Sequence, residues 1–396
     1  MIESPYFLFA FIVSLLGVLF ALEQTSFGKS LFKVVPLIVF CYFVPALFSN
    51  LGMIPLQSPL YVFVKKWMLP ASLLLLTLSV DIPAILSLGK TAIALFLSGT
   101  LSILIGGPIA LALGFWAVPE SMGEEVWKGL AALAGSWIGG GANFVAIGKS
   151  VGVQDSTIGL MVVVDVVIAN LWMACLLFFA GKEKAMDKKI GADRTQIDIV
   201  RKKVQDFQNQ VNRPTQMKKL MMILAIAFAG TAIAKAVAGS LPPIGDLVTE
   251  FTWVVMIVTA LGVTLSFTPV RKLEGYGASH MGSVFLYILI ATIGAHAEFH
   301  KVVQVPGLAL VGAIWMIIHA ITMLTVRRLM KAPVFLMAVA SQANVGAAAS
   351  APVVASAFHP ALAPVGVLLA IGGYVLGTYA AIVCAGLLKW VYFLMA

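Results

Sequence analysis

The chain has 396 residues, of which 61% are hydrophobic and only 11% are charged. Soluble globular domains are nearer one half apolar and one quarter charged, so the composition excludes an ordinary soluble protein. The formal net charge is +9, but eleven Lys and Arg residues against five Asp and Glu lie in the segment 182–219. A basic loop of this kind fixes the orientation of a membrane protein, so we expect no nucleic-acid partner.

Apolar runs recur along nearly the whole chain, and most of them are long enough to cross a hydrocarbon core of roughly 30 Å. They predict an all-α polytopic membrane protein with about 12 transmembrane helices in two repeated halves. The predicted spans are 6–22, 33–50, 67–87, 91–117, 128–150, 157–181, 218–238, 247–268, 280–298, 308–330, 333–356 and 362–392.

A polar segment divides six predicted spans from six. We therefore predict a first transmembrane half at 1–181, a basic cytoplasmic linker at 182–217 and a second half at 218–396. Because loops rich in Lys and Arg stay on the cytoplasmic side, we expect a multi-pass protein of the plasma or inner membrane.

The fifth predicted span contains GSWIGGGANFVAIGK at 135–149, with three successive glycines and an asparagine. Each glycine weakens a helix by about 1 kcal/mol relative to alanine. In hydrocarbon, each unpaired backbone group costs several kcal/mol, so irregular backbone persists only where it lines a protein cavity. The sequence therefore predicts a broken helix whose exposed backbone groups bind a ligand.

The second half has a matching segment, ASQANVGAAASAP at 340–352, which an offset of 207 residues aligns with the first. Interrupted spans at corresponding positions of two halves are the best sequence indication of a secondary transporter's binding site. Half-helix N-termini suit an anionic group, and unwound carbonyls suit a cation. The alternative is that these small residues only allow close helix packing. The candidate substrate- or ion-binding residues here are Ser136, Trp137, Gly139, Gly140, Gly141, Asn143, Ser341, Gln342, Asn344, Gly346 and Ser350.

The relative direction of the two repeats stays open at this point. With twelve full spans, the matching segments lie six spans apart and point the same way, whereas inverted repeats need an odd offset. One predicted span would then fail to cross, and 218–238, which contains Lys235, is the first suspect. The positive charges favour the simple count, because they place four groups on one side. These groups are 182–217, Lys65-Lys66, Arg271-Lys272 and Arg327-Arg328-Lys331.

Asp165 lies inside the apolar stretch MVVVDVVIANLW. A charge at the centre of a membrane helix costs about 2.5–3.5 kcal/mol, so it requires a partner or a function. We predict a ligand of the coupling ion or a proton carrier; the alternative is a buried hydrogen bond between helices. A Na⁺ ion is expected near Asn143, Gln342, Asn344 and Asp165.

Three further groups have two interpretations each. Tyr374, in GGYVLGTYAA at 372–381, either offers its hydroxyl to the cavity or packs. His319 either joins helices by a hydrogen bond or relays protons. His296 and His300 have the i, i+4 spacing of metal ligands around Glu298, but interfacial histidines are equally consistent with the pattern.

Four stretches of the chain resemble the DUF819 (YjcL-like) family of uncharacterised membrane proteins. They are GSWIGGGAN at 135–143, TLSFTPVRKLEG at 264–275, IGAHAEF at 293–299 and ASQANVGAAASAP at 340–352. This family is grouped with the bile-acid/sodium symporter-like and NhaA-like transporters. The resemblance implies a core domain, in which two broken helices cross near the bilayer centre, and a panel domain.

Together these features predict a cation-coupled secondary transporter, with Na⁺ as the expected ion, for a small organic anion or zwitterion. The chain has no phosphate-binding GxxxxGK[ST] loop and no nucleophile elbow, so we expect no enzyme activity and no cofactor besides Na⁺. The alternatives are a Na⁺/H⁺-type antiporter and a membrane sensor that signals through 182–217. The expected partners are the substrate, the lipid bilayer and a second copy of the chain in a homodimer.

Overall fold

The computed structural model describes residues 2, 4–34, 37–192, 214, 216–245, 248–295, 305–358 and 362–396. Before residue 193 the helices are α1 (Pro5–Gln24), α2 (Ser26–Val34), α3 (Leu37–Asn50), α4 (Pro59–Leu78), α5 (Ile82–Ser87), α6 (Lys90–Gly114), α7 (Glu125–Ser150), α8 (Asp155–Gly181) and α9 (Glu183–Ile190). After the linker they are α10 (Met217–Ala238), α11 (Glu250–Ser266), α12 (Ala278–Gly294), α13 (Val305–Leu329), α14 (Val334–Val345), α15 (Ala347–Phe358) and α16 (Ala363–Met395).

Every long element in these ranges is helical, which confirms the predicted all-α class for the described residues. Among the described residues, eight helices are long and apolar enough to cross a membrane, or up to ten if each of two bent pairs counts as one span. The predicted twelve crossings are not found in the described part of the chain. Two of the predicted spans fold back instead of crossing.

The first of these is α7, which is a helical hairpin. A straight helix of its 26 residues would separate the two ends by about 39 Å at 1.5 Å per residue. Instead, the Gln154 backbone N–H, just beyond one end, donates to Glu125 Oε2 at the other end at 2.9 Å. The chain turns at Gly140, whose φ of 74° and ψ of −173° are tolerated essentially only by glycine.

The second hairpin consists of α14 and α15. The rings of Phe335, near its start, and Phe358, at its end, have centroids only 5.6 Å apart. Close to the turn, Gln342 Nε2 donates to Ser350 Oγ at 2.6 Å. The turn includes Ala347, which is in the positive-φ region at 48°. The segment 334–358 therefore returns to the end from which it starts.

The two hairpins enter from opposite ends of the molecule. The base of the first adjoins Asp155 at the start of α8, and the base of the second adjoins Asp187 beyond the end of α8. The 27 residues of α8 separate these ends by about 40 Å. The tips meet, because a Cβ placed on Gly140 would lie 2.7 Å from the Cβ of Ala347.

These hairpins correct the prediction that 128–150 and 333–356 are spans whose broken helices cross each other. The suspected span 218–238 was the wrong choice, since α10 is one continuous helix of 22 residues. The hairpins also explain why the two matching segments, which lie six predicted spans apart, point in opposite directions. The count that made them point the same way treated each of them as a full crossing, and neither hairpin crosses.

The helices pack as two groups, which we name the hairpin body and the flanking body. The hairpin body contains α5–α9 and α13–α16, and the flanking body contains α1–α4 and α10–α12. Within the hairpin body, α6 lies so close to α13 that a Cβ on Gly107 would enter the Trp315 ring. Fewer contacts join the bodies; one is the hydrogen bond of 3.1 Å between the Thr259 and Thr378 hydroxyls.

One charge assignment from the sequence is wrong. Lys65 pairs with Asp155 at 2.6 Å, at the end of α8 opposite to Asp187. Arg327, by contrast, pairs with Asp187 at 2.9 Å. Lys65 and the Arg327 cluster therefore do not share a side, because α4 starts at one end of the molecule and α13 finishes at the other.

Candidate functional site

A cavity of about 380 Å³ lies where the two hairpin tips meet α8, α12 and α16. Eight predicted binding residues line it: Ser136, Gly140, Gly141, Asp165, Gln342, Gly346, Ser350 and Tyr374. The flanking body completes the wall with Ser283 and Tyr287 of α12, which sequence reasoning missed. No motif marks these two residues, since their place at the cavity depends only on how α12 packs.

Asp165 is the only acidic residue among the described residues of the lining. Its Oδ2 accepts a hydrogen bond from Ser136 Oγ at 2.6 Å, and its Oδ1 accepts one from Trp137 Nε1 at 2.7 Å. A carboxylate offers about four acceptor positions, so two of them remain after these bonds. No Lys, Arg or His is among the described lining residues. The carboxylate therefore faces the cavity with capacity to bind a cationic group.

Trp137 was predicted to form a wall of the site, but the structure places it behind the cavity. Its side chain is fully buried and packs edge-on against Trp315, with ring centroids 5.1 Å apart. Its contribution is the indole N–H that it donates to Asp165. Trp137 therefore positions the carboxylate and does not line the cavity.

The positive ends of two short helices also face the cavity. The second arm of the first hairpin starts at Gly141, and α15 starts at Ala347; both residues line the cavity. The first N–H groups of a helix have no intrahelical acceptor and carry partial positive charge. In addition, Gln342 is only 1% exposed, and its Oε1 has no hydrogen-bond partner among the described residues. The cavity thus presents N–H groups suited to an anion and, on Asp165, acceptor positions suited to a cation, and Gln342 adds an unpaired oxygen that is itself buried.

Asn143 was predicted to be an ion ligand, but its side chain points away from the cavity into the contact with α16. Its Nδ2 donates to the Tyr374 carbonyl at 3.0 Å, and its Oδ1 accepts from Thr378 Oγ1 at 2.7 Å. Gly139 lies in the same contact, where a Cβ would collide with the Gly373 carbonyl. Asn143 and Gly139 therefore contribute to close helix packing, which was the alternative to ligand binding.

Asn344 has the same role in the second hairpin. Its Oδ1 accepts from Thr100 Oγ1 of α6 at 2.8 Å, and its Nδ2 donates to the Phe96 carbonyl at 3.1 Å. The side chain is fully buried and does not line the cavity. Each hairpin is therefore held to a different helix by one asparagine, and neither of these asparagines, near which a Na⁺ ion was predicted, lines the cavity.

Ser341 belongs to a buried chain of hydrogen bonds around His319. Trp172 Nε1 donates to Ser341 Oγ at 2.8 Å, and Ser341 lies 2.7 Å from His319 Nε2. His319 Nδ1 lies 2.6 Å from Ser102 Oγ, whose hydroxyl donates to the Gly99 carbonyl. A neutral ring with its proton on Nδ1 satisfies every group of this chain. The arrangement favours the interpretation of His319 as a link between helices.

Two other groups from the sequence analysis lie elsewhere. Arg271, one of the positive charges in the count of sides, pairs with Asp81 at 3.0 Å, beyond the end of α4 and away from the cavity. The histidine pair around Glu298 lies outside the described residues. Among the described residues, no group of three or more His, Cys, Asp or Glu side chains is arranged to hold a metal ion.

Comparison with known proteins gives the family of the chain. The model of the family described as "Protein of unknown function (DUF819)" matches residues 10–391. The chain is also similar to "Uncharacterized membrane protein YjcL" of Bacillus subtilis (strain 168), with 24% identity over 356 residues that cover 84% of each chain. These matches confirm the resemblance found in the glycine- and alanine-rich segments, and the chain belongs to the DUF819 family.

Proposed function

We propose that the protein is a secondary active transporter of a small organic anion or zwitterion, coupled to a cation. The observation that carries this proposal is the cavity between the tips of two hairpins that enter from opposite ends. Irregular backbone at membrane depth is tolerated only where it lines a cavity or is buried in protein. Discontinuous helices around a central site are the arrangement of many secondary transporters.

Na⁺ is the coupling ion that we expect. Asp165 supplies negative charge, and Gln342 Oε1 supplies an acceptor without a protein partner among the described residues. Both line the cavity, whereas the amides of Asn143 and Asn344 are engaged in helix contacts. Of the four residues near which Na⁺ was expected, we therefore keep Asp165 and Gln342 as the proposed Na⁺ ligands.

Alternating access would come from movement of the hairpin body against the flanking body, as in an elevator. This is favoured by the cavity wall, which combines residues of both bodies, such as Gln342 and Tyr287. The opposite entry of the hairpins fits two inverted repeats, in which a pseudo-two-fold rotation about an axis in the membrane plane relates one half to the other.

We place the linker 182–217 in the cytoplasm and the protein in the cell membrane. The linker begins directly after α8 and contains Asp187, which pairs with Arg327, so Arg327 lies at the same end of the molecule. Lys- and Arg-rich loops stay on the cytoplasmic side. In this orientation, the second hairpin enters from the cytoplasm and the first from outside.

An antiporter that exchanges Na⁺ for H⁺ is the second candidate. One observation favours it: Asp165 is the single acid of the described lining, with hydrogen bonds from Ser136 and Trp137. A carboxylate of this kind can alternate between a proton and Na⁺ without any organic substrate. Proton movement driven by Na⁺ alone, in proteoliposomes, would select this candidate.

Alternating access is tested by the accessibility of the second hairpin tip. In a Cys175→Ala background, Ser350→Cys places a thiol in the cavity, and Ala351→Cys is a matched control because Ala351 is fully buried. In proteoliposomes of one orientation, an impermeant maleimide should label Ser350→Cys from either side, in proportions that change with Na⁺. Ala351→Cys should react from neither side. Labelling of Ser350→Cys from one side only, under all conditions, would contradict the proposal.

A further inference from the structure

A second, smaller cavity of about 50 Å³ adjoins the first and shares Ser136, Gly141 and Asp165 with it. A cavity needs about 10–15 Å³ of this volume for each water-sized group. The second cavity, which we name the recess, therefore has room for roughly three to five non-hydrogen atoms. Its remaining walls are formed almost entirely by aliphatic and aromatic side chains. They include Phe144, Val145, Ile158, Val162, Ile290 and Ile293.

Three kinds of surface therefore converge around Asp165. The carboxylate itself attracts a cationic group, and the N-terminal N–H groups of the second arms at Gly141 and Ala347 attract an anionic group. The recess accepts a short apolar group because a polar group there would lose its hydrogen bonds. Gln342, a lining residue of the larger cavity, is buried and its Oε1 has no partner among the described residues, so this oxygen can still accept a hydrogen bond or a cation.

The charge of the lining restricts the ligand further. A polycarboxylate or a phosphate would lie near the Asp165 carboxylate, with no Lys, Arg or His among the described lining residues to hold it. A simple monoanion would use the helix N-termini, but together with Asp165 it would set two negative charges against a single Na⁺ in the cavity. A zwitterion satisfies both, since each of its charges meets a surface of opposite sign.

We propose that the substrate is an aliphatic amino acid, an inference that rests on the transport function proposed above. Its ammonium group binds Asp165, its carboxylate faces the N–H groups at Gly141 and Ala347, and its alkyl side chain enters the recess. The ammonium takes one of the two remaining acceptor positions of Asp165, and the other, together with Gln342 Oε1, remains for the coupling Na⁺.

The first experiment compares four compounds that differ by one group. The affinities of L-valine, isovalerate, isobutylamine and glycine are measured on the detergent-purified full chain in NaCl, by ligand-induced thermal stabilisation. Isovalerate lacks the ammonium group, isobutylamine lacks the carboxylate, and glycine lacks the alkyl group. L-valine should bind at least about tenfold more tightly than each of the others, because each loses an interaction with one surface.

Two variants separate the roles of the carboxylate and the recess. Asp165→Asn should bring L-valine and isovalerate to similar affinities. Val162→Phe fills the recess, so it should abolish the preference for L-valine over glycine while glycine still binds. Val167→Phe is the matched control, because Val167 lies on the same helix and is 48% exposed on the outer surface. It should keep the wild-type preference, and the Val162 comparison stands even if Asp165→Asn does not fold.

Isovalerate binding as tightly as L-valine would overturn the inference, and so would a chain that no compound of the panel stabilises. Failure of the proposed function would be recognised separately, from the labelling of Ser350→Cys. A protein labelled from both sides that binds none of the four compounds keeps the transport proposal and loses the amino acid. A protein labelled from one side only loses both.

Discussion

The two hairpins share one shape, but different parts of the molecule hold them. At the base of the first, Asp155 pairs with Lys149 of the hairpin and with Lys65 of the flanking body. At the base of the second, Asp187 accepts hydrogen bonds from Arg327 and from the Val334 N–H. The first base thus connects the two bodies, whereas the second is closed within the hairpin body.

Burial of the arms differs as well. Nearly all of α7 is buried, and so is every residue of α14. In α15, only Ala347, Ala351, Val354 and Ala355 are buried. The second arm of the second hairpin is therefore the least confined of the four arms. If one hairpin opens the cavity, we expect this arm to move.

The largest effect should come from breaking the base of the second hairpin. Arg327→Ala removes the guanidinium from Asp187, whose side chain is 1% exposed. Removing one partner of a buried ion pair costs about 3–5 kcal/mol. We expect this loss in the free energy of unfolding, measured with denaturant in mixed micelles.

Lys65→Ala is the matched comparison at the first base. The Lys65 and Asp155 side chains are 23% and 14% exposed, and Asp155 keeps Lys149. We expect a loss of no more than about 1 kcal/mol, as for other partly solvated pairs. Equal losses in the two variants would contradict the difference between the two bases.

Mutations at the two hairpin tips should differ less in their effect on stability than mutations at the two bases. Gly140→Ala forces a side chain into a conformation that costs about 1–3 kcal/mol, and its Cβ would meet that of Ala347. We expect a clear drop in melting temperature. The converse change, Ala347→Gly, relieves a positive φ at the second tip and should alter stability by less than about 1 kcal/mol. If Gly140→Ala melts like the wild type, α7 does not turn at this residue.

The difference between the two hairpins should be smallest at the two asparagines, whose variants should lose similar amounts of stability. Asn143→Ala and Asn344→Ala each remove buried hydrogen bonds to another helix, which costs about 1–3 kcal/mol. Because neither side chain lines the cavity, the rise in melting temperature caused by Na⁺ should persist in both. Gln342→Ala is the control, since it should reduce that rise. If either asparagine variant loses the rise in melting temperature caused by Na⁺, that asparagine is an ion ligand, as the sequence predicted.

The sequence identified where the helices break, because glycines at membrane depth are costly unless they have a function. It did not indicate that the broken segments fold back. Glu125–Ser150 meets the same tests of length and apolarity as α4, which runs as a single span. The difference is a contact between Glu125 and Gln154, which are 29 positions apart. Local composition carries no information about such a contact.

The candidate site was also predictable only in part, since the sequence indicated residues of the site but not the direction in which their side chains point. Gly140 at the first break and Asp165 inside the apolar stretch of α8 were both predicted to bind a ligand, and both line the cavity. The orientation of Asn143 was not predictable, because it depends on Thr378 in a helix from the other half of the chain. Ser283 and Tyr287 were missed for a related reason: they reach the cavity through the packing of the flanking body.

The contact between Asn143 and Thr378 also bears on how the protein is made. These residues are 235 positions apart, and α16 is synthesised after all the other helices that the structure describes. The earlier hairpin therefore cannot reach its finished packing while most of the second half is still being synthesised. During that interval its apolar arms are each too short to cross the bilayer alone, so they must pack against neighbouring helices, the insertion machinery or lipid.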